Sequence, residues 1–129
     1  MNIGFFQNFK GTDSVLLECT AEEIEDISNQ LETSSIKSGH KLAIHELATV
    51  SQHNPAQLFV LFSNAQTMHH ANGVFYWLCA GDELMNIKDR LKSLSSTCAG
   101  HQYFDLVGSS AQLIVSVGEY GESWWAQNG

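Results

Sequence analysis

Apolar positions recur along this chain with two different periods, and the switches between them mark its elements. Ile24, Ile27 and Leu31 fall on one face of a 3.6-residue repeat, and Leu84, Ile87, Leu91 and Leu94 follow at i, i+3, i+7 and i+10. Both runs predict amphipathic helices with a stripe facing the core. Thr20-Ala-Glu-Glu23 reads as a capping box, with Thr20 as N-cap and Glu23 reaching back. Glu22, Glu23, Glu25 and Asp26 crowd the first turns of that helix, where the positive end of its dipole favours acids. Gly81 or Asp82 caps the second helix. Short runs rich in β-branched and aromatic residues predict strands over 14–18, 41–46, 57–62, 102–106 and 112–117, with an edge strand near 3–9.

The order of these elements repeats. LECTAEEIEDISNQL (17–31) and WLCAGDELMNIKDRL (77–91) align at an offset of 60, matching Cys19 with Cys79, Glu23 with Glu83, Ile27 with Ile87 and Leu31 with Leu91. Gly39-His40 then matches Gly100-His101 at offset 61, and AQLFVLFS (56–63) matches AQLIVSVG (111–118) at offset 55. The changes of offset fall in loops, where duplicated units accumulate insertions and deletions. The expectation is an α+β fold built as a pseudo-twofold tandem repeat of a β-α-β-β unit. Unit one spans about 13–63, unit two about 73–118, and a tail covers 119–129, all within one domain, 1–129. Short connections between consecutive strands favour hairpins, so the expected core element is a single, mostly antiparallel sheet with two helices on one face.

Composition narrows the class. The 129 residues are 43% hydrophobic and 16% charged, the balance of a globular chain. Fourteen acids against six bases give a net charge of −8, which disfavours nucleic acid and favours a basic protein as partner. No apolar run reaches the ~18 residues of a membrane span. The first ten residues lack the pattern of a signal peptide. Cys19, Cys79 and Cys98 are odd in number and form no C-x-x-C pair, which fits reduced thiols in the cytoplasm.

The candidate chemistry is sparse. No H-E-x-x-H, P-loop or G-x-G-x-x-G occurs, and no G-x-S-x-G elbow, so no cofactor is expected. A metal site would draw on His40, His69, His70 and His101, two of them after matching glycines and two in the loop between the units. Cys19 and Cys79 precede helix starts, a setting that can lower a thiol pKa, but small buried residues at strand ends are the commoner use of cysteine. Three regions are least explained by the repeat: the connection HELATVSQHNPAQ (45–57), where the second unit has only the short LVGSS, the His69-His70 loop, and the tail.

The tail is the candidate binding surface. Glu119 and Glu122 interleave with Tyr120, Trp124 and Trp125, and aromatic residues with polar tips are enriched at protein interfaces. In an extended tail the adjacent tryptophans would point to opposite faces, one inward and one outward. The expected function is that of a non-enzymatic binding protein of the bacterial cytoplasm, an immunity or inhibitor partner of a basic protein such as a toxin. The alternative is a small metal-binding protein or enzyme using the clustered histidines. A homodimer through a sheet edge or the tail is compatible with both.

Overall fold

A computed structural model of the chain describes residues 1–36, 41–47, 49–63, 68 and 71–129. In chain order these form β1 (Asn2–Phe9), β2 (Thr12–Cys19), α1 (Ala21–Ile36), β3 (Lys41–Ala43), a 3-10 turn (Ile44–Glu46), β4 (Ser51–His53), β5 (Gln57–Leu61), β6 (Val74–Leu78), α2 (Asp82–Ser95), β7 (Gly100–Asp105), β8 (Gln112–Val117) and α3 (Glu122–Asn128). The fold is mixed α+β.

Local chemistry accounts for the elements that the apolar periods predict. The capping box at α1 is made in full: the Thr20 N–H donates to Glu23 Oε1 at 2.9 Å and the Glu23 N–H donates to the Thr20 hydroxyl at 3.2 Å. Ile24, Ile27 and Leu31 are buried on α1, and Ile87, Leu91 and Leu94 on α2. β1 and β2 are joined by the two-residue turn Lys10-Gly11, with φ of 50° and 89°. Two successive positive φ values suit the right-handed twist of a hairpin.

The sheet differs from the expected single, mostly antiparallel one. Eight strands divide into a five-stranded sheet, ordered β4-β1-β2-β8-β7, and a three-stranded sheet, ordered β3-β5-β6. Three pairings are antiparallel (β1–β2, β3–β5, β7–β8) and three parallel (β1–β4, β2–β8, β5–β6). Consecutive strands pair antiparallel at β1–β2 and β7–β8, but the short link 54–56 carries the chain from β4 in one sheet to β5 in the other. The helix-bearing connections also pass from one sheet to the other, and parallel pairs need no hairpin between their strands. β2 of the first half lies beside β8, and β6 of the second half lies beside β5. Along these ladders Lys41 pairs with Leu61 while His101 pairs with Ser116. Lys41 therefore holds the ladder place corresponding to His101, and the Gly-His echo at offset 61 is one residue out of step with the strands.

One core lies among the two sheets and helices α1 and α2, with Val15, Leu17, Leu58, Trp77, Leu113 and Val115 at its centre. β2 has six consecutive buried residues, Ser14 to Cys19, because its sheet is covered on both faces. The second cover is α3. Its Trp125 packs on Leu16 and Ile114, which point away from the main core. Among the described residues no helix is long and apolar enough to cross a membrane.

Candidate functional site

The tail is positioned by the turn that follows β8. Gly118 has φ of 70°, and a Cβ there would collide with the carbonyl oxygen of Cys98. Both facts favour glycine. The turn is then caught by a buried carboxylate: Glu18 Oε1, on β2, accepts from the N–H of Glu119 at 2.9 Å and of Tyr120 at 3.1 Å. Glu18 is only 7% exposed, and its Oε2 has no hydrogen-bond partner among the described residues.

Glu119 folds back onto the same sheet face. Its Oε1 accepts from the Ser116 hydroxyl at 2.8 Å, and His101 Nδ1 lies 2.9 and 3.1 Å from its two oxygens. Partial burial pushes the Glu119 carboxyl up, but the hydrogen bonds from Ser116 and His101, with the charges of His101 and Lys10, outweigh it and hold the group below the ordinary carboxylate range. In this chain of contacts the carboxylate lies between hydroxyl and imidazole. A nucleophilic relay needs the imidazole in the middle, so the order is that of a structural clamp.

The tail is not extended. After Gly121 it turns into α3, and successive side chains on a helix diverge by about 100° rather than 180°. Trp125 is 2% exposed, whereas Trp124 is half-buried. Of the five predicted contact residues, Trp125 is thus a core residue, and Glu119, Tyr120, Glu122 and Trp124 remain at the surface. Sequence reasoning missed α3 because seven residues give too little periodicity to register.

It also missed the partners of the tail. Phe6 and Phe9 on β1 join Tyr120 and Trp124 in one aromatic cluster. Trp124 lies 5.3 Å from Phe6 and 6.0 Å from Phe9, centroid to centroid, and 4.8 Å from Tyr120. The signal was present as the pair Phe5-Phe6: neighbouring aromatics on a strand demand an apolar environment on both faces. The far end of α3 is held by Asn54, whose side-chain amide donates to the Asn128 carbonyl at 3.2 Å, and by the His53 ring, 4.8 Å from that of Trp125. Lys10, in the β1–β2 turn, holds its ammonium 5.8 Å from the centroid of Phe9 and 5.7 Å from that of Tyr120. The neighbouring Tyr120 side chain, more than any other group, raises its pKa. Beside the cluster runs an open cleft of about 730 Å³, with Glu18, Glu23 and Glu122 in its walls.

The histidines divide differently. His101 is engaged by Glu119, while His40, His69 and His70 lie outside the described residues. Among the described residues no three His, Cys, Asp or Glu side chains are grouped to hold a metal. His45 is buried and its Nδ1 accepts from the Leu58 N–H at 3.0 Å. Cys19 and Cys79 are buried and burial pushes both thiols up, away from the reactive thiolate form, while Cys98 is exposed. Comparison with protein-family models, curated proteins and solved structures returned no match.

Proposed function

We propose that this chain is a non-enzymatic binding protein whose α3 surface docks a basic protein. The reading rests on one observation: the half-exposed rings of Tyr120 and Trp124 are backed by Phe6 and Phe9, and Tyr120 shares the wall of an open cleft with Glu18, Glu23 and Glu122. Rigid aromatic anchors supply most interface energy, and an acidic rim steers a basic partner and sets its orientation. The net charge of −8 adds long-range attraction of the same sign. Buried Trp125 and the Glu18 carboxylate keep the anchors in place before binding, which lowers the ordering cost.

The partner we propose is a basic toxin, such as a secreted nuclease, with this chain as its cytoplasmic immunity or inhibitor protein. The scaffold we propose is a duplicated pair of units, 13–63 and 73–118. The test is affinity capture from the native host at low and high salt, with wild-type protein and a Tyr120→Ala/Trp124→Ala variant. A basic protein retained at low salt by the wild type alone supports the reading, more so if its gene adjoins this one. Equal recovery by the variant would sink it. Stoichiometric zinc in protein purified without a polyhistidine tag would shift the reading to the histidine site.

A further inference from the structure

We infer that the acidic cleft beside α3 receives an arginine side chain of the basic partner, with the unpartnered oxygen of Glu18 as its acceptor. The inference rests on the docking surface proposed above and names the partner group that it recognises. The cleft, of about 730 Å³, opens where β1 begins, β2 and β8 end, and α1 and α3 begin. Glu18 stands in its wall with only 7% of its surface exposed. Its Oε1 is bound twice, by the N–H groups of Glu119 and Tyr120, whereas Oε2 has no partner among the described residues. A buried carboxylate oxygen without a donor is costly, so one in the wall of a cleft calls for a donor from outside the chain.

The neighbours of Glu18 in the sheet are turned elsewhere. Asn2 and Ser116 are its ladder partners on either side. The Asn2 amide oxygen meets His53 Nε2 at 2.9 Å, and the Ser116 hydroxyl donates to Glu119. Glu23, in the same wall, is already engaged: Oε1 accepts from the Thr20 N–H, and Oε2 from the α-amino group of Met1 at 2.9 Å. The Glu122 side chain is exposed and makes no hydrogen bond or ion pair among the described residues. The cleft thus offers one exposed carboxylate and one buried carboxylate oxygen, with no lysine, arginine or histidine among the described residues that line it. Such a wall selects a positive ligand. Among the described residues no three His, Cys, Asp or Glu side chains are grouped to hold a metal, so the cation must bring its own hydrogen-bond donors. Guanidinium carries them in a planar fork. It is also more weakly hydrated than ammonium, which suits an oxygen closed off from water. Entry of the side chain moves part of the wall, and the amides of Glu119 and Tyr120, tied to Glu18, report it.

The test titrates N-acetyl-arginine amide into the whole chain at low salt and follows backbone amide resonances. The matching lysine and citrulline amides are the comparison probes, citrulline keeping the shape of arginine without its charge. The arginine probe should bind more tightly than the lysine probe and about tenfold more tightly than the citrulline probe, the difference expected from a hydrogen bond to a charged group. It should also shift the Glu119 and Tyr120 amides, whose acceptor belongs to the same carboxylate as Oε2. Glu18→Gln keeps an oxygen for those two N–H groups and sets an amide NH₂ in place of Oε2. It should weaken arginine binding about tenfold, whereas Asp89→Asn, which removes an equal charge on α2, should change it by less than about twofold. Equal binding of arginine and citrulline, or wild-type affinity in Glu18→Gln, would overturn the pocket. So would Glu119 and Tyr120 amides unmoved at saturation, a readout that needs no variant to fold. A lysine probe as tight as the arginine one would overturn the choice of guanidinium. The docking surface survives all of these outcomes and falls only if the Tyr120→Ala/Trp124→Ala variant recovers the partner as well as the wild type does.

Discussion

Trp125 carries the attachment of α3, and its replacement offers the sharpest check on how the outer face is built. A tryptophan buried to 2% exposure removes roughly 200 Å² from water, worth about 5 kcal/mol at ~25 cal/mol per Å². Part of this is offset, because the indole Nε1 is buried with no acceptor among the described residues, a cost of about 1–3 kcal/mol. The net hold on α3 is then about 2–4 kcal/mol. Trp125→Ala should lose that amount and release the helix from Leu16 and Ile114. Trp125→Phe should cost no more than about 1 kcal/mol, since it gives up one ring of packing but also sheds the orphan N–H. Urea titration followed by circular dichroism measures the global change, and amide exchange across residues 122–128 measures the local one. If the phenylalanine variant loses as much as the alanine variant, the N–H is satisfied and the reasoning fails. An alanine variant with α3 still protected would show that Asn54 and His53, not the indole, hold the helix.

Three further outcomes are expected. Glu119 has a folded-state pKa below its unfolded value, so it stabilises the tail fully above the ordinary carboxylate range near pH 4.3 and loses that contribution as pH falls through the lowered value; Glu119→Gln should flatten the acid limb of α3 exchange, and an unchanged limb would refute the clamp. In native protein a thiol reagent should modify Cys98 alone, with Cys19 and Cys79 reacting only on unfolding; two or three fast thiols would contradict their burial. Gly118→Ala should destabilise by more than about 1 kcal/mol in urea melts, because the side chain meets the Cys98 carbonyl at a positive φ.

The polar clamp shows where local signals end. Ser116, Glu119 and His101 carry no recognisable spacing, yet Ser116 and His101 are ladder partners and Glu119 returns over both. Glu18 lies 101 residues before the N–H of Glu119 that it binds. The candidate surface of the tail was legible as composition, from its acids and rings. Its helical shape, and the contribution of Phe6, Phe9 and Lys10 from the other end of the chain, were not.

By itself the sequence determined the elements whose causes are local. α1 and α2 follow from their apolar stripes, and the start of α1 from its capping box. A period describes one segment and which face it buries, but it is silent about the segment on the other side of that face. Tertiary structure alone decided that β2 lies parallel to β8, that the strands divide between two sheets, and that the far face of the larger sheet is closed by α3. The physical reason is that six buried residues in a row on β2 need two apolar partners, and only the folded chain brings Trp125 to the second.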